Sequence, residues 1–425
     1  MKIGYAKRDV TPSIGLRLGG YAHRLGRPSK SIHDPLMVSV IHMESRGEAV
    51  LLIHCDVLGV YRDFADSVKR IIQEKVGISS TRIFLTTTHT HSGPETITPM
   101  WPNTFPYTSQ EKRVFKQWEG FFMGSIVEAA AEACENSTPA SIRLGMTQVL
   151  GLTYNRTYKN DVVDERMPFM LIRNRDSNIV LTNYCCHPVC NTDLGVSADY
   201  PGELYARMLR NGFEVFFTTG SAGDIDPVEK GRGFMSKMGL SMEHALMDAV
   251  RNTVELVPDG ISVQNRIVRL KLRDPPPFEV ARRRFLEQYE LCKSKLDDQM
   301  CATSLLYADE EYEIAKESKR SVETLVQTLT LGSEVAFISV PGELFVEFWL
   351  KINKEANTMR YGSTIISAYS EDYVGYIPDK AAFEKGSYET RLARWSRVTP
   401  DAGDQIFQAI IDCLRSSKGA RDESS

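Results

Sequence analysis

Two of the eight histidines in this 425-residue chain stand one residue apart, in Thr87-Thr88-His89-Thr90-His91-Ser92-Gly93-Pro94. In an extended segment residues i and i+2 project to the same side, so one ring can bind a metal ion while the other stands beside a bound substrate. The pair also reads as two loop histidines satisfied by hydrogen bonds, and spacing alone does not choose. His187, before Pro188, follows an apolar run and reads either as a core or capping residue or as a ligand. Glu343, in Val340-Pro341-Gly342-Glu343, follows another such run, where a helix starting near Leu344 would favour a carboxylate through its macrodipole. Tyr369, Tyr373, Tyr376 and Tyr388 form a tyrosine-rich stretch, ordinarily an amphipathic wall, although a phenolic oxygen is an occasional zinc ligand. Arg156, in Asn155-Arg156-Thr157, reads on its own as a surface arginine.

The segments that must position these residues share one design. Arg82–Thr86 is a β-branched run leading into the His89 loop, and Ile179–Cys185 ends at His187. Phe213–Thr218 ends in Gly220-Ser221-Ala222-Gly223-Asp224-Ile225-Asp226-Pro227, and Val335–Val340 ends in Pro341-Gly342-Glu343. Each strand end presents polar or ionisable residues beside Gly or Pro, where a rigid scaffold aims catalytic groups, and together they point to one shared site. Leu36–Met43 and Ala49–Val57 predict a strand pair, and Val68, Ile71, Ile72 and Val76 on one face predict a helix over Arg62–Val76. Strand-like runs alternating with amphipathic segments predict an α/β (mixed α+β) fold of layered sheets flanked by helices. Residues 275–320 are rich in Glu, Lys, Arg, Leu and Tyr and predict two charged helices, a connection or insertion, with a break near Met300–Ser304. Residues 1–414 read as one domain without internal repeats, and 415–425 as a flexible tail lacking apolar residues to pack.

Composition sets the outer limits. The 51 Lys+Arg against 55 Asp+Glu give a formal net charge of −4, without the basic field that nucleic-acid binding needs. No apolar run approaches the ~20 residues of a transmembrane helix, and the amino terminus Met1-Lys2-Ile3-Gly4-Tyr5-Ala6-Lys7-Arg8 has no apolar core of the kind a secretory signal requires. Eight cysteines, three of them at 185, 186 and 190, without any Cys-x-x-Cys pair, fit a reduced, cytoplasmic setting and exclude the common structural zinc signatures.

Seven motifs in order resemble the neutral, non-lysosomal ceramidases over roughly residues 1–400: Asp9-Val10-Thr11-Pro12, His33-Asp34-Pro35-Leu36, Thr88 to Pro94, His187-Pro188, Gly223-Asp224-Ile225, Pro341-Gly342-Glu343 and the Tyr376 segment. The resemblance implies the fold of that family's catalytic domain, without the carboxy-terminal immunoglobulin-like domain of full-length members. It also implies a zinc-dependent amidohydrolase with one Zn2+ per chain, or another divalent metal, held by His89, His187, Glu343 and Tyr376 with one position open. Zinc acidifies water and polarises a carbonyl; the residues placed to stabilise the resulting oxyanion are His91 and Tyr373, and Arg156 matches an arginine lining the substrate pocket. One position departs: the family's Gly-Asp-x-Ser-Pro turn reads Gly223-Asp224-Ile225-Asp226-Pro227, so Asp226 puts a charge where the active site has a neutral hydroxyl. The implied substrate is a small-molecule or lipid amide, with sphingolipid metabolism as the family's setting. The alternatives are a small polar ester, lactone or sugar-derived substrate cleaved by hydrolysis or elimination, and a non-catalytic metal-containing binding protein. The oligomeric state is left open.

Overall fold

The structure, a computed structural model, describes residues 1–159 and 162–422. Three mixed sheets carry the fold. The first runs, in spatial order, Ile83–Thr87, Glu48–Cys55, Met37–Ser45 and Lys2–Asp9; the second Glu214–Thr219, Asn178–Tyr184, Arg166–Arg173 and Ser141–Gln148; the third Ser363–Ser367, Val335–Ser339, Ser321–Leu331 and Ile261–Lys271. Short strands Thr138–Pro139 and Val254–Leu256 extend the first and second.

The three sheets have one topology. In each, a first strand lies antiparallel to a second, which forms an antiparallel pair with the third. A helix then crosses over to a fourth strand parallel to the third. The crossover helices are Arg62–Val76, Tyr200–Arg210 and Val346–Thr358. A second helix follows each fourth strand and packs back on its own unit: Ser109–Glu135, Arg232–Ala249 and Ala402–Asp422. The molecule is thus a threefold repeat of β-β-β-α-β-α, where the sequence shows no repeat.

Local chemistry explains the elements. The first hairpin turns at Arg46-Gly47, both at positive φ (53° and 80°), a two-residue turn whose twist matches the strands. Helix Arg62–Val76 buries Ala65, Val68 and Ile72 on one face and stops at Gly77 in the left-handed region. Helix Ser109–Glu135 opens with a capping box between Thr108 and Glu111. Each sheet buries both faces. Ile41, Leu52 and Phe84 of the first, Met170, Ile179 and Phe216 of the second, and Leu329, Phe337 and Ile365 of the third meet in one inner core. The outer faces pack under their own helices.

Two expectations shift. The inserted helices are Phe278–Cys292 and Gln299–Ala315, so the break lies at 293–298, ahead of Met300. Asp298, whose side chain accepts from the Cys301 N–H, sets that start as an N-cap. The segment beyond Leu414 continues the last helix to Asp422; residues 423–425 of the expected tail lie outside the described residues.

Candidate metal centre

Apart from Arg156, which follows the short strand Thr153–Asn155, the residues given a role in the chemistry lie past the carboxyl end of one of the two parallel strands of a unit. His89 and His91 follow Ile83–Thr87, and His187 follows Asn178–Tyr184. Asp224 and Asp226 follow Glu214–Thr219, Glu343 follows Val335–Ser339, and Tyr373 and Tyr376 follow Ser363–Ser367. The fourth-strand ends are tied in a ring. Thr219 Oγ1 donates to Thr88 O (2.5 Å), Ala368 N to Thr219 O (3.0 Å), and Thr87 Oγ1 to Tyr369 O (2.9 Å). The units therefore point their loops at a common centre.

Three imidazoles meet there: ligand atoms of His89, His91 and His187 all lie within 4.8 Å of one another. His89 Nδ1 donates to Leu58 O at 2.5 Å and His187 Nδ1 to Ile225 O at 3.2 Å. With Nδ1–H given to a carbonyl, each ring turns its Nε2 inward. His187 Nε2 stands 2.9 Å and His89 Nε2 3.6 Å from Glu343 Oε2, while His89 and His91 face each other through their Nε2 atoms at 3.3 Å. A bare His89 or His187 Nε2 facing a carboxylate oxygen is repelled unless a cation lies between them. A zinc tetrahedron with bonds of 2.0–2.1 Å has an edge of about 3.3 Å, so the donors present fit such an ion in kind and in spacing.

Electrostatics agree. Burial pushes His89 down to about 4; burial, with His89 and His187 beside it, holds His91 well below the ordinary imidazole value. Burial works to raise Glu343, but the His89 and His187 rings and the Tyr373 hydroxyl outweigh it and hold its carboxyl below the usual range. Neutral imidazoles beside an ionised carboxylate are the protonation states that metal binding requires.

The remaining expected residues take distinct places. Glu343 does not open a helix: it lies in the two-residue strand Glu343–Leu344, paired in parallel with Tyr376–Ile377, and the helix starts at Val346. Tyr373 donates its hydroxyl to Glu343 Oε1 at 2.5 Å. The Tyr376 hydroxyl, in register with Glu343, accepts from Arg156 Nη2 at 2.9 Å. The other bonds of the Arg156 fork run to Asp226 Oδ1 (2.8 Å), Glu389 Oε1 (2.9 Å) and Gly223 O (3.0 Å). Four of its five N–H donors are thus committed to the protein, with one on Nη1 left over. Asp226 accepts that arginine, with Lys230 Nζ 3.5 Å away. Arg156, His187 and Lys230 pull its carboxyl below the usual range against the effect of burial. Asp224 takes the Asn155 side-chain N–H (2.6 Å) and the first N–H of helix Val346–Thr358 (2.9 Å), joining the second unit to the third.

Three contributors had no individual role assigned from the sequence. Tyr369 stacks on His89 with ring centroids 3.9 Å apart. Glu389 balances Arg156, and Lys230 stands over Asp226 and the Tyr21 ring. Tyr369 lay within the tyrosine-rich stretch; the other two carry no motif. His33-Asp34 proves structural: Asp34 accepts from Ser197 Oγ and the Ala198 N–H, fixing the segment before helix Tyr200–Arg210.

The cluster opens into a cavity of only about 30 Å3, lined by His89, His91, Glu343, Tyr373, Tyr376, Tyr388, Trp395, Met100, Thr98, Leu58 and Gly20. A surface cleft of about 750 Å3, lined by Gln148, Asp164, Arg166 and Lys354, includes none of these residues. Concentration of donors, not volume, marks the site.

Comparison with known proteins places this geometry. The sequence model described as neutral/alkaline non-lysosomal ceramidase, N-terminal, matches residues 1–183. No curated protein sequence matches the chain. Among solved structures, neutral ceramidase from Pseudomonas aeruginosa superposes with a TM-score of 0.75 at 14% identity, covering 97% of this chain and 74% of that one. A ceramidase complexed with C2 gives 0.74 at 14% identity, over 99% of this chain and 75% of that one. The chain thus matches the neutral/alkaline non-lysosomal ceramidase model over residues 1–183 and shares the fold of the neutral ceramidase structures over nearly its whole length.

Proposed function

We propose that the chain is a metal-dependent hydrolase of an N-acyl amide bond, using one divalent ion, zinc by donor type, held by His89, His187 and Glu343 and completed by His91 or Tyr376. The observation that carries this reading is the pair of imidazoles whose Nδ1–H bonds to Leu58 O and Ile225 O turn their Nε2 atoms toward each other and toward a carboxylate oxygen. Two solved structures with this fold are ceramidases, and amide hydrolysis is the chemistry their names carry. When bound, the ion would supply Lewis-acid polarisation of a carbonyl and acidification of water.

The chain's own groups supply the rest. Tyr373 keeps its phenolic proton, burial and Glu343 having raised its pKa; its one O–H is given to Glu343 Oε1 and serves negative charge developing on a carbonyl oxygen by turning from that carboxylate. If His91 is not a ligand, its unprotonated ring is the base beside the site. Arg156, held between Asp226 and Glu389, orients Tyr376. The ester, lactone or sugar alternative rests on Asp226 in place of the family's serine; the pairing of Asp226 with Arg156 favours the amide reading over it. In this reading the three units make one catalytic domain over 1–414, working in the cytoplasm as the eight free cysteines suggest. Among the described residues no helix is long and apolar enough to cross a membrane.

Elemental analysis of the purified chain is expected to give about one zinc per chain, with His89→Ala losing metal and amide turnover together. Stoichiometric zinc retained in a triple variant at His89, His187 and Glu343 defeats the proposal.

A further inference from the structure

Two segments wall the cavity beside the histidines: one carries Thr98 and Met100, the other Tyr388 and Trp395. Both are fastened to Gln299–Ala315, the second helix of the inserted pair. Asp309 on that helix is fully buried and accepts four hydrogen bonds from the first segment. Oδ1 takes Asn103 N (3.1 Å) and Nδ2 (2.7 Å), and Oδ2 takes Thr104 N (2.8 Å) and Oγ1 (2.5 Å). Its neighbour Glu310, equally buried, grips the second segment at Arg394, through the backbone N (3.0 Å), Nε (2.9 Å) and Nη2 (2.6 Å). Arg394 Nη2 also reaches Pro99 O at 2.6 Å, linking the two walls to each other. Adjacent fully buried acids are rare, and here all four oxygens are occupied by the walls of the site.

Beyond this closure lies an outer cleft of about 530 Å3, lined by Tyr61, Lys316, Arg394 and Arg397 among others, and Tyr373 forms a wall common to cleft and inner cavity. The inner space, about 30 Å3, is far below the ~300–1,000 Å3 of pockets that enclose large ligands. A compact acyl group needs only a rotamer change of the pliable Met100. A long chain needs the walls to part, which strips Asp309 of its partners in a buried setting.

We propose that Asp309 and Glu310 clamp a two-part lid over the histidine cluster and thereby restrict the site to N-acyl compounds with a short, acetyl-sized acyl group. This rests on the amide-hydrolase reading and adds specificity-setting positioning residues to it. Neither acid touches the reacting atoms; each acts through the segment it holds.

The test compares N-acetyl and N-palmitoyl derivatives of one amine with the full-length zinc-loaded chain, its Asp309→Ala variant and the milder Thr104→Val, which removes one bond to Asp309. The wild type should favour the acetyl compound by about 100-fold or more in kcat/KM, with Asp309→Ala narrowing that ratio about tenfold and Thr104→Val narrowing it less. Two readouts do not need turnover: amide hydrogen exchange over residues 98–104 and the rate at which a chelator strips zinc should both rise in Asp309→Ala. Wild-type preference for the palmitoyl compound, or an unchanged ratio in both variants, overturns the assigned specificity. Exchange and stripping rates equal to wild type overturn the clamp. Turnover of neither amide overturns the substrate class together with the hydrolase reading, and the clamp is then judged on exchange and stripping alone.

Discussion

His89 sits in the left-handed region at φ 63°, and the Tyr369 ring stacked on it sits there too, at φ 54°. Such backbone costs on the order of 1–3 kcal/mol per residue and persists only where the surroundings enforce it; here the Leu58 carbonyl and the stacked rings do so. The third imidazole is held differently. Gly20, at φ +84°, lies so close that a Cβ there would come within 2.4 Å of the His91 ring. Gly20→Ala should therefore displace His91 and, if that ring completes the metal site, weaken zinc binding by about 10–100-fold in chelator competition. Unaltered affinity would leave Tyr376 as the fourth ligand. At this scale the motifs were informative because chemistry restricts residue type: His89, His187 and Glu343 were named as ligand candidates from spacing and resemblance. The ion pairs of Arg156 with Glu389 and Asp226 were not legible, because pairing across such sequence distances leaves no local trace.

The loop that carries Tyr369 and Tyr373 is secured by a buried ion pair. Lys69, on the buried face of helix Arg62–Val76, binds Glu371 and Gln327. Glu371 in turn takes the Leu85 N–H at 2.8 Å, and its own N–H goes back to Leu85 O at 2.9 Å. Helix, strand and tyrosine loop are thereby joined across two units. Lys69→Met would leave a carboxylate buried without its partner and is expected to cost about 3–5 kcal/mol, read by urea unfolding, with Lys69→Met/Glu371→Gln recovering part of it. A loss under about 1 kcal/mol in the single variant would show the pair to be incidental. Element type was legible wherever side-chain periodicity was strong, as in helix Arg62–Val76, whose bounds match the expectation. It failed where tertiary pairing decides: Glu343 belongs to a two-residue strand whose partner lies at Tyr376, too short for any period to reveal. The inserted helices were visible as charge, but Asp309 and Glu310 hid within it, since burial of an acid is a property of what surrounds it.

The three units coincide in topology and in nothing a sequence pattern displays. The loops between crossover strand and second helix differ in length, and the insertion falls in only one unit, so the repeat emerges only from the pairing of strands. One global property follows from the buried carboxyls. Glu95, 5% exposed and bonded to the Met100 N–H and the Tyr107 hydroxyl, is raised by burial to about 7. A carboxyl raised in the folded state binds its proton more tightly there than when unfolded. Its contribution is thus most favourable below about 4.5, declines as pH rises toward 7, and then levels off. The swing is at most roughly 3 kcal/mol for a shift of that size. Glu95→Gln should flatten this part of the unfolding-midpoint profile between pH 4.5 and 7, and curves that stay parallel to wild type would refute it. The ring of three hydrogen bonds among Thr87, Thr219 and Ala368 has a consequence of its own. Each third of the molecule brings part of the donor set to one axle, so an ion seated there rivets all three together: capture of the ion reports the completed assembly, because no single third contains the whole nest.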